Sequence, residues 1–244
     1  MFLVIARVIV IVILSVSICV FGIIYCLIIP LKANRTVIFG KLFGCMAPIC
    51  GIRVEIRNFL GSDLFKKYIY IANHQNNYDM ITVAYVVQPN TVTVGKKKLF
   101  WIPLFGQLYW LSGNILIDRD RSVFLARRIL TKIIETIKIR NMSIWIFPEG
   151  TRNRGRGLLP FKTGAFYAAI SAKVEIVPIC VSDMSNNKIK LSRWSNGLVI
   201  IEIMPPIDTC RVKIDQVRGI AAYCHKIMQL KINDLNKEVV LREK

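Results

Sequence analysis

The stretch from Tyr68 to Asp79 reads YIYIANHQNNYD, and it predicts the organisation of the chain around it. Its first five residues form a short β-rich run, and the residues that follow are polar. A strand that ends in a polar turn is a common location for reactive side chains. In this turn, Asp79 could accept the proton of one ring nitrogen of His74 and leave the other nitrogen as a base. Taken alone, a histidine near an aspartate is more often a structural polar pair.

Strands and helices are predicted to alternate on both sides of this stretch. Residues 53–57 alternate with period two, which is typical of a strand. The remaining β-rich runs are 68–72, 91–94, 115–117, 143–147, 175–181 and 198–203. Helical patterns occur at about 79–87, 122–139 and 162–173 and from Gln216 towards the C-terminus, and a loop is expected near 186–187. The alternation predicts one α/β domain with a mixed sheet flanked by helices.

The composition points to an apolar, basic chain. Its 244 residues fit one globular domain and a short appendage. Hydrophobic residues make up 54% of the chain, which is high for a soluble enzyme, and many of them lie in the first 29 residues. The formal net charge of +19 favours an anionic partner, such as phospholipid, a phosphorylated substrate or nucleic acid. A general bias towards Ile, Lys and Asn explains the total charge equally well.

The cysteines and histidines exclude two kinds of site. The seven cysteines are odd in number and include no C-x-x-C pair, which favours buried thiols in a reducing compartment over a disulfide frame or a zinc site. His74 and His225 are the two histidines of the sequence, so a histidine-rich metal site is excluded.

The N-terminal segment is apolar enough to enter a membrane. No charged residue occurs from Val8 to Ile29, and roughly 20 residues are enough for a helix to cross a bilayer. A cleaved signal peptide is the rival, but its apolar region is normally about 7–15 residues long. A second apolar stretch, 37–50, is shorter and broken by glycines. The segment therefore predicts either one spanning helix or a helical hairpin inserted in a single leaflet.

The charges that flank this segment predict its orientation in the membrane. Lys32, Arg35 and Lys41 follow the first apolar run, and Arg7 precedes it. The positive-inside rule then favours a cytoplasmic main domain. We divide the chain into an N-terminal membrane-anchoring segment, residues 1–50, and a main domain, residues 51–244.

Three further motifs occur after this stretch, and one of them carries groups that suit a phosphorylated substrate. Residues 146–152 read IFPEGTR, so an acid, a glycine, a hydroxyl and an arginine follow a strand. Glycine allows a ligand to approach the backbone, and arginine offers a planar fork to phosphate. Residues 113–119 are a short strand that ends in a charged pair, and 177–179 read VPI. The alternatives are a solvated turn, a surface salt bridge and a structural strand, respectively.

Together, and in this order, the motifs resemble the glycerolipid acyltransferase family. His74 and Asp79 match its H-x4-D motif, and 113–119, 147–152 and 177–179 match its later motifs. Residues 70–80 and 158–166 look very similar to the bacterial members that acylate 1-acyl-sn-glycerol 3-phosphate, and the resemblance covers about 21–237. Two departures from the wider family occur: Leu116 stands where many relatives have Phe, and Gln75-Asn76 replaces small or hydroxyl residues.

The resemblance implies a reaction in phospholipid biosynthesis. A fatty acyl group passes from acyl-coenzyme A or acyl-carrier protein to the sn-2 hydroxyl of 1-acyl-sn-glycerol 3-phosphate, which gives phosphatidic acid. His74 is expected to be the base and Asp79 its orienting partner. Direct transfer is expected, because no Ser or Cys lies in a nucleophile elbow. The oxyanion donors are expected among backbone amides near Gly150. No metal or tightly bound prosthetic group is implied.

The same resemblance implies the substrate-binding residues. They are expected to be Lys96, Gly113, Asn114, Arg119, Glu149, Gly150, Thr151 and Arg152. Arg152 and Arg119 would bind the acceptor phosphate, and Lys96 would add charge. Glu149 would hold the glycerol hydroxyls or order the arginines.

Two surface features remain open. The basic runs 96–98 and 152–156 could hold anionic lipid, the phosphates of coenzyme A or an acidic carrier protein, or could be a solvated surface. The aromatic residues Trp101, Phe105, Tyr109 and Trp110 could be a packed helix face, or an interfacial seat and part of an acyl groove.

The expected location is the bacterial inner (cytoplasmic) membrane, with the acyltransferase domain facing the cytoplasm. Three alternatives stay open from the residues. A nucleic-acid binder would explain the charge, but the apolar segment and the lack of a recognised nucleic-acid motif argue against it. A non-catalytic membrane scaffold would make His74 dispensable. An acyltransferase with another acceptor, such as glycerol 3-phosphate, would use the same motifs.

Overall fold

The computed structural model describes residues 1–29, 34–59, 66–118, 123–185 and 188–243. Its strands are β1 (Arg53–Asn58), β2 (Tyr68–Ala72), β3 (Thr91–Lys96), β4 (Ile115–Ile117), β5 (Ser143–Ile146), β6 (Glu175–Val181) and β7 (Leu198–Ile203). Within the described residues these seven strands form one mixed sheet in the order β1-β7-β6-β2-β5-β3-β4. The β6–β7 pair is antiparallel and the other pairs are parallel. Every predicted strand is confirmed, while the loop predicted at 186–187 lies outside the described residues.

Helices cover both faces of the sheet. They are α1 (Phe2–Ile28), α2 (Arg35–Gly44), α3 (Phe105–Leu111), α4 (Val123–Lys138), α5 (Gly164–Ala172) and α6 (Val217–Arg242). The helices predicted at 122–139, at 162–173 and from Gln216 onward are confirmed. Short 3₁₀ turns lie at Ala47–Cys50, Asn77–Met80, Val83–Val86, Lys97–Trp101 and Ile214–Gln216.

The helix predicted at 79–87 is wrong. The structure has two 3₁₀ turns there, Asn77–Met80 and Val83–Val86. The side chain of Asn76 accepts a hydrogen bond from the Tyr78 N–H at 2.8 Å, and the Thr82 hydroxyl donates to the Tyr78 carbonyl at 2.9 Å. Such local bonds compete with a regular helix, and the β-branched residues of this segment reduce its helix propensity further.

The strands are apolar on both faces because each face of the sheet carries its own core. In β2, Tyr68, Tyr70 and Ala72 pack into the cluster that contains residues of α1, α2 and α3. Ile69 and Ile71 point the other way, into the cluster formed with α4, α5 and α6. A parallel sheet that is buried on both faces needs such continuous apolar runs. The N-terminal segment therefore supplies the cover of one face.

Helix α1 lies along the protein instead of extending away from it. Cys19, Gly22 and Cys26 are buried on one side, and a Cβ added to Gly22 would meet Leu108 and Phe39 at 2.8 Å. The rest of the helix is largely exposed and apolar. In the described part of the chain, α1 is the one helix that is long and apolar enough to cross a membrane.

Buried arginines hold both ends of α1. The Arg7 guanidinium donates to the carbonyls of Leu191 at 2.8 Å and Trp194 at 2.9 Å, and also to that of Arg193. At the other end, Arg35 donates to carbonyls in the last turns of α1 and α3, including that of Leu111 at 2.9 Å. Cations are stabilised at the C-terminal ends of helices, where carbonyls lack partners.

Candidate active site

His74 and Asp79 form the centre of the site. The loop after β2 brings the His74 Nδ1 atom to 2.5 Å from the Asp79 Oδ2 atom. The same carboxylate oxygen accepts the backbone N–H of Gln75 at 2.9 Å and that of Asn76 at 3.3 Å. Asp79 is 5% exposed, so its carboxylate is held by these donors with little solvent around it. A carboxylate in this position fixes the proton on Nδ1 and leaves Nε2 as the basic nitrogen.

The imidazole ring is also fixed by stacking. The rings of His74 and Phe147 lie almost parallel, with their centroids 4.2 Å apart. Phe147 in turn contacts Trp145 edge-on in the core of the sheet. The His74 side chain keeps 21% of its surface exposed, so the ring is supported on one face and remains open to a substrate.

The loop after β5 also holds the main chain of His74. Its N–H donates to the Glu149 Oε1 atom at 2.6 Å, and its carbonyl accepts the Asn153 N–H at 2.8 Å. The second Glu149 oxygen accepts the Leu159 N–H at 3.0 Å. Glu149 is 3% exposed, and burial raises its pKa from 4.5 to about 7, against the lowering effect of the two N–H donors. The sequence placed Glu149 on the substrate, but its described contacts are with the backbone.

Parallel pairing gathers several predicted residues at one edge of the sheet. β2, β5, β3 and β4 are neighbours that run in the same direction, so their C-terminal ends meet. His74 follows β2, Glu149 and Arg152 follow β5, and Lys96 ends β3 with an exposed side chain. Such an edge is where α/β sheets usually place their sites. Arg119, which follows β4 in the sequence, lies outside the described residues.

The turn that carries Arg152 has groups to offer a ligand. Arg152 is half-buried, and its Nε atom is shielded from solvent with no hydrogen-bond partner among the described residues. Thr151 is exposed. Gly150 has a φ of +70°, and a Cβ there would meet the Lys162 side chain at 2.9 Å. Glycine therefore fits this turn where a side chain would not.

Gly113 and Asn114 are not brought to this edge. They precede β4, and the Asn114 Oδ1 atom accepts the N–H of Thr93, in the middle of β3, at 2.8 Å. The same oxygen accepts the Thr93 and Thr36 hydroxyls, and the amide nitrogen donates to the Tyr109 carbonyl at 3.0 Å. Gly113 has a φ of +84° and ends the turn after α3. Both residues therefore have structural contacts, and their substrate contacts stay a prediction.

Sequence reasoning missed the amides that support residues 73–79, the loop after β2 that carries the predicted base and is termed the catalytic loop below. Asn73 pairs with the backbone N–H and carbonyl of Val181, each at 2.9 Å. Gln75 donates to the Ser182 carbonyl at 2.7 Å and accepts the Met184 N–H at 2.8 Å. Gln75 is buried, so its departure from the wider family fastens the loop to residues after β6. The sequence signal that could have shown this support was the run of Asn and Gln residues around the predicted base, His74.

The described residues contain no group of three or more His, Cys, Asp or Glu side chains that could hold a metal ion. The arrangement offers a histidine base, an arginine for an anion and backbone amides. These groups suit acyl transfer to a hydroxyl.

Comparison with known proteins gives consistent matches. Residues 53–182 match the family model described as Acyltransferase. The chain is 56% identical over 237 residues to a 1-acyl-sn-glycerol-3-phosphate acyltransferase of Escherichia coli strain K12, covering 97% of this chain and 96% of that one. It is 50% identical to a protein of the same name in Haemophilus influenzae over 233 residues, or 96% of each chain.

More distant matches agree. The human 1-acyl-sn-glycerol-3-phosphate acyltransferase alpha is 34% identical over 172 residues, 70% of this chain and 60% of that one. The crystal structure of the 1-acyl-sn-glycerophosphate (LPA) acyltransferase, PlsC, from Thermotoga maritima superposes with a TM-score of 0.63 at 22% identity, covering 83% of this chain and 78% of that one. This last match supports the fold alone. By the family model and by the identity to relatives of matching length, the chain belongs to the acyltransferase family.

Proposed function

We propose that this chain transfers a fatty acyl group from a thioester to the sn-2 hydroxyl of 1-acyl-sn-glycerol 3-phosphate, which gives phosphatidic acid. The observation that carries the proposal is the contact of 2.5 Å between His74 Nδ1 and Asp79 Oδ2 at the open edge of the sheet. The names and near full-length identity of the bacterial relatives supply the acceptor.

His74 acts as the general base in this mechanism. An alcohol is a poor nucleophile, so Nε2 takes the proton of the sn-2 hydroxyl as its oxygen attacks the thioester carbonyl. The C–O bond forms and gives a tetrahedral intermediate. The C–S bond then breaks, and the thiolate takes the proton back from the imidazolium. Asp79 stabilises the imidazolium between the two proton transfers.

The developing oxyanion needs hydrogen-bond donors. The Gly150 N–H is engaged, because it donates to the Phe147 carbonyl at 3.0 Å. The N–H groups of Thr151 and Arg152 donate to no acceptor among the described residues. These two amides directly follow Gly150, near which the oxyanion donors were predicted, and we therefore assign them to the oxyanion.

The acceptor phosphate is assigned to the basic residues at this edge. Arg152 precedes Asn153, whose N–H donates to the His74 carbonyl, and its buried Nε atom has no hydrogen-bond partner among the described residues. Lys96 adds charge from the end of β3, and Arg119 stays a prediction. Arginine suits this task because its planar donors match two phosphate oxygens.

The acyl donor is assigned to the exposed loop after Arg152. Arg154 and Arg156 are exposed and have no carboxylate within ion-pair distance among the described residues. The backbone N–H of Arg154 donates to the Gln75 carbonyl at 3.1 Å, so this basic loop is fixed beside the base. Acyl-coenzyme A and acyl-carrier protein both carry anionic groups, which the pantetheine arm joins to the thioester. Replacing both arginines should raise the KM of the donor, and parallel assays with the two donors identify the preferred one.

Residues 1–50 are assigned to the membrane, and residues 51–244 to the acyltransferase domain. We favour monotopic insertion of this segment into one leaflet of the bacterial inner membrane over a helix that spans the membrane. Both ends of α1 contact the body of the protein through Arg7 and Arg35, so a body on the cytoplasmic side keeps α1 on that side too. The exposed apolar side of α1 and the exposed Trp101 and Trp110 would then enter one leaflet.

Labelling tests this topology. Phe2→Cys should react with a membrane-impermeant maleimide only after the inner membrane is permeabilised, as the exposed Cys210 should. Labelling of Phe2→Cys, but not of Cys210, from the periplasmic side of intact cells would establish a spanning helix instead.

The reaction itself is tested with purified protein in detergent. Radiolabelled acyl-coenzyme A or acyl-carrier protein is supplied with 1-acylglycerol 3-phosphate, glycerol 3-phosphate or a lysophospholipid that carries a headgroup. We expect labelled phosphatidic acid on thin-layer plates from the first acceptor. Product from one of the other acceptors only would contradict the proposed acceptor.

A further inference from the structure

Glu149 stands in a motif that the sequence assigns to substrate binding, yet its carboxylate is turned into the protein. It is 3% exposed, and its two oxygens accept the N–H groups of His74 at 2.6 Å and Leu159 at 3.0 Å. Each oxygen thus has a backbone donor from a different segment. A carboxylate held in this way is poorly placed to meet a glycerol hydroxyl.

These two bonds join segments that are far apart in the sequence. His74 lies in the catalytic loop, and Leu159 lies ten residues beyond Glu149 in the segment that leads to α5. The Asn153 N–H donates a hydrogen bond to the His74 carbonyl at 2.8 Å. Both polar groups of the His74 main chain are therefore bonded to residues 149–153.

From this geometry we infer that Glu149 is a positioning residue. Its two hydrogen bonds, termed the bracket below, join the catalytic loop to the segment at Leu159. They thereby fix the main chain of His74, the proposed base. The inference rests on the proposed function for the identity of the reaction. It differs from substrate binding in a measurable way, because loss of positioning lowers kcat, whereas loss of an acceptor contact raises the KM of the acceptor.

The bracket is complete only when the carboxyl is ionised, since two N–H donors then meet two accepting oxygens. The charged and titratable groups around it are His74, Asp79 and the Lys162 side chain that lies against Gly150. Burial holds the pKa of Glu149 at about 7, so the bracket forms as the pH rises through neutrality.

Glu149→Gln is the informative variant. It keeps the shape of the side chain but turns an NH₂ group towards one of the two N–H donors. We expect kcat for phosphatidic acid formation to fall by about tenfold or more at pH 8, while the KM of the lysophosphatidate acceptor stays within about twofold. The ratio of wild-type to variant kcat should rise between pH 6 and pH 8. The matched control is Glu135→Gln, which removes an exposed carboxylate on α4.

Hydrogen exchange supplies a readout that needs no turnover. Exchange of the amides in a peptide covering 72–80 should quicken in Glu149→Gln and stay unchanged in Glu135→Gln, with both proteins folded. An increase in acceptor KM with kcat preserved would return Glu149 to the substrate and overturn the bracket. Unchanged kinetics and exchange would overturn it as well. If the wild type fails to acylate 1-acylglycerol 3-phosphate, the proposed function fails, and the exchange measurement still tests the bracket.

Discussion

A general base must meet its proton within hydrogen-bond distance, which requires that both its ring and its main chain are fixed. In this protein, Asp79 and Phe147 fix the ring of His74, and residues after β5 fix its main chain. The pairing with Asp79 was predictable from sequence, because only four residues separate the partners. The direction of Glu149 was not, because it depends on a backbone N–H that lies 75 positions away.

Among the residues proposed for the acceptor phosphate, Arg152 gives the sharpest prediction. Arg152→Ala should raise the KM of the lysophosphatidate acceptor by about tenfold or more, because a charged hydrogen bond contributes roughly 1.5–3 kcal/mol. Steady-state kinetics with varied acceptor measure it. Arg211→Ala, at an exposed arginine after β7, is the control. A fall in kcat at unchanged KM would contradict the phosphate role.

The raised pKa of Glu149 also predicts that the stability of the folded protein depends on pH. Its pKa is raised from 4.5 to about 7, so between these values the folded protein holds a proton that the unfolded chain has released. The contribution to the free energy of unfolding is therefore full below pH 4.5 and is lost as the pH rises towards 7, by about 3 kcal/mol. The ionised carboxylate, which the proposed positioning role requires, thus lowers the free energy of unfolding.

Thermal unfolding of wild type and Glu149→Gln in detergent, from pH 4.5 to 8, checks this sign. The midpoint of the wild type should fall relative to that of the variant as the pH rises. A difference in midpoint that stays constant would show that the buried carboxyl does not titrate in this window, and one that moves in favour of the wild type would show that folding lowers its pKa.

At the scale of elements, strands were predicted better than turns. Continuous apolar runs identify strands that are buried on both faces, and all seven predictions were confirmed within the described residues. The helix predicted at 79–87 failed because the side chains of Asn76 and Thr82 bond to the local backbone. The position of Gly113 and Asn114 before β4 depends on register with β3, which local sequence does not specify, so their substrate role stays a prediction.

Asn114 should therefore act on stability. Its side chain joins α2, β3 and α3 through Thr36, Thr93 and Tyr109. Asn114→Ala should lower the free energy of unfolding by about 1–3 kcal/mol, since it leaves buried groups unpaired, with little change in the KM of the acceptor. Thermal unfolding and kinetics measure both, with Asn233→Ala on the exposed side of α6 as control. A large increase in KM at unchanged stability would restore the predicted substrate contact.

At the scale of the molecule, the N-terminal segment, residues 1–50, and the sheet share one core. Residues of α1 and α2 pack in the same cluster as Tyr70, Trp145 and Phe147, so these helices cover the sheet face next to the Phe147 ring that stacks on His74. With α1 in the membrane as proposed, this arrangement would give the lipid acceptor and product a short path between the bilayer and the proposed base. Composition predicted the apolar segment, but its packing on the sheet depends on contacts between distant parts of the chain.

Deleting residues 2–28 should therefore remove more than a tether. We expect the truncated protein to aggregate or lose activity even in detergent, because an apolar face would become exposed. Size-exclusion chromatography and activity assays in detergent report the outcome. Arg7→Met, which keeps α1 but removes its bonds to residues 191–194, should give a folded protein with a lowered unfolding midpoint. A monodisperse and fully active truncated protein would mean that α1 is only a tether.

The most direct test of the account is the activity of His74→Ala. Purified wild type and variant are given acyl-coenzyme A or acyl-carrier protein with 1-acylglycerol 3-phosphate, after thermal unfolding has shown that both are folded. We predict phosphatidic acid from the wild type, and a loss of at least about 100-fold in kcat in the variant at unchanged acceptor KM. Phosphatidic acid formed by His74→Ala at a rate close to that of the wild type would contradict the assignment of the base.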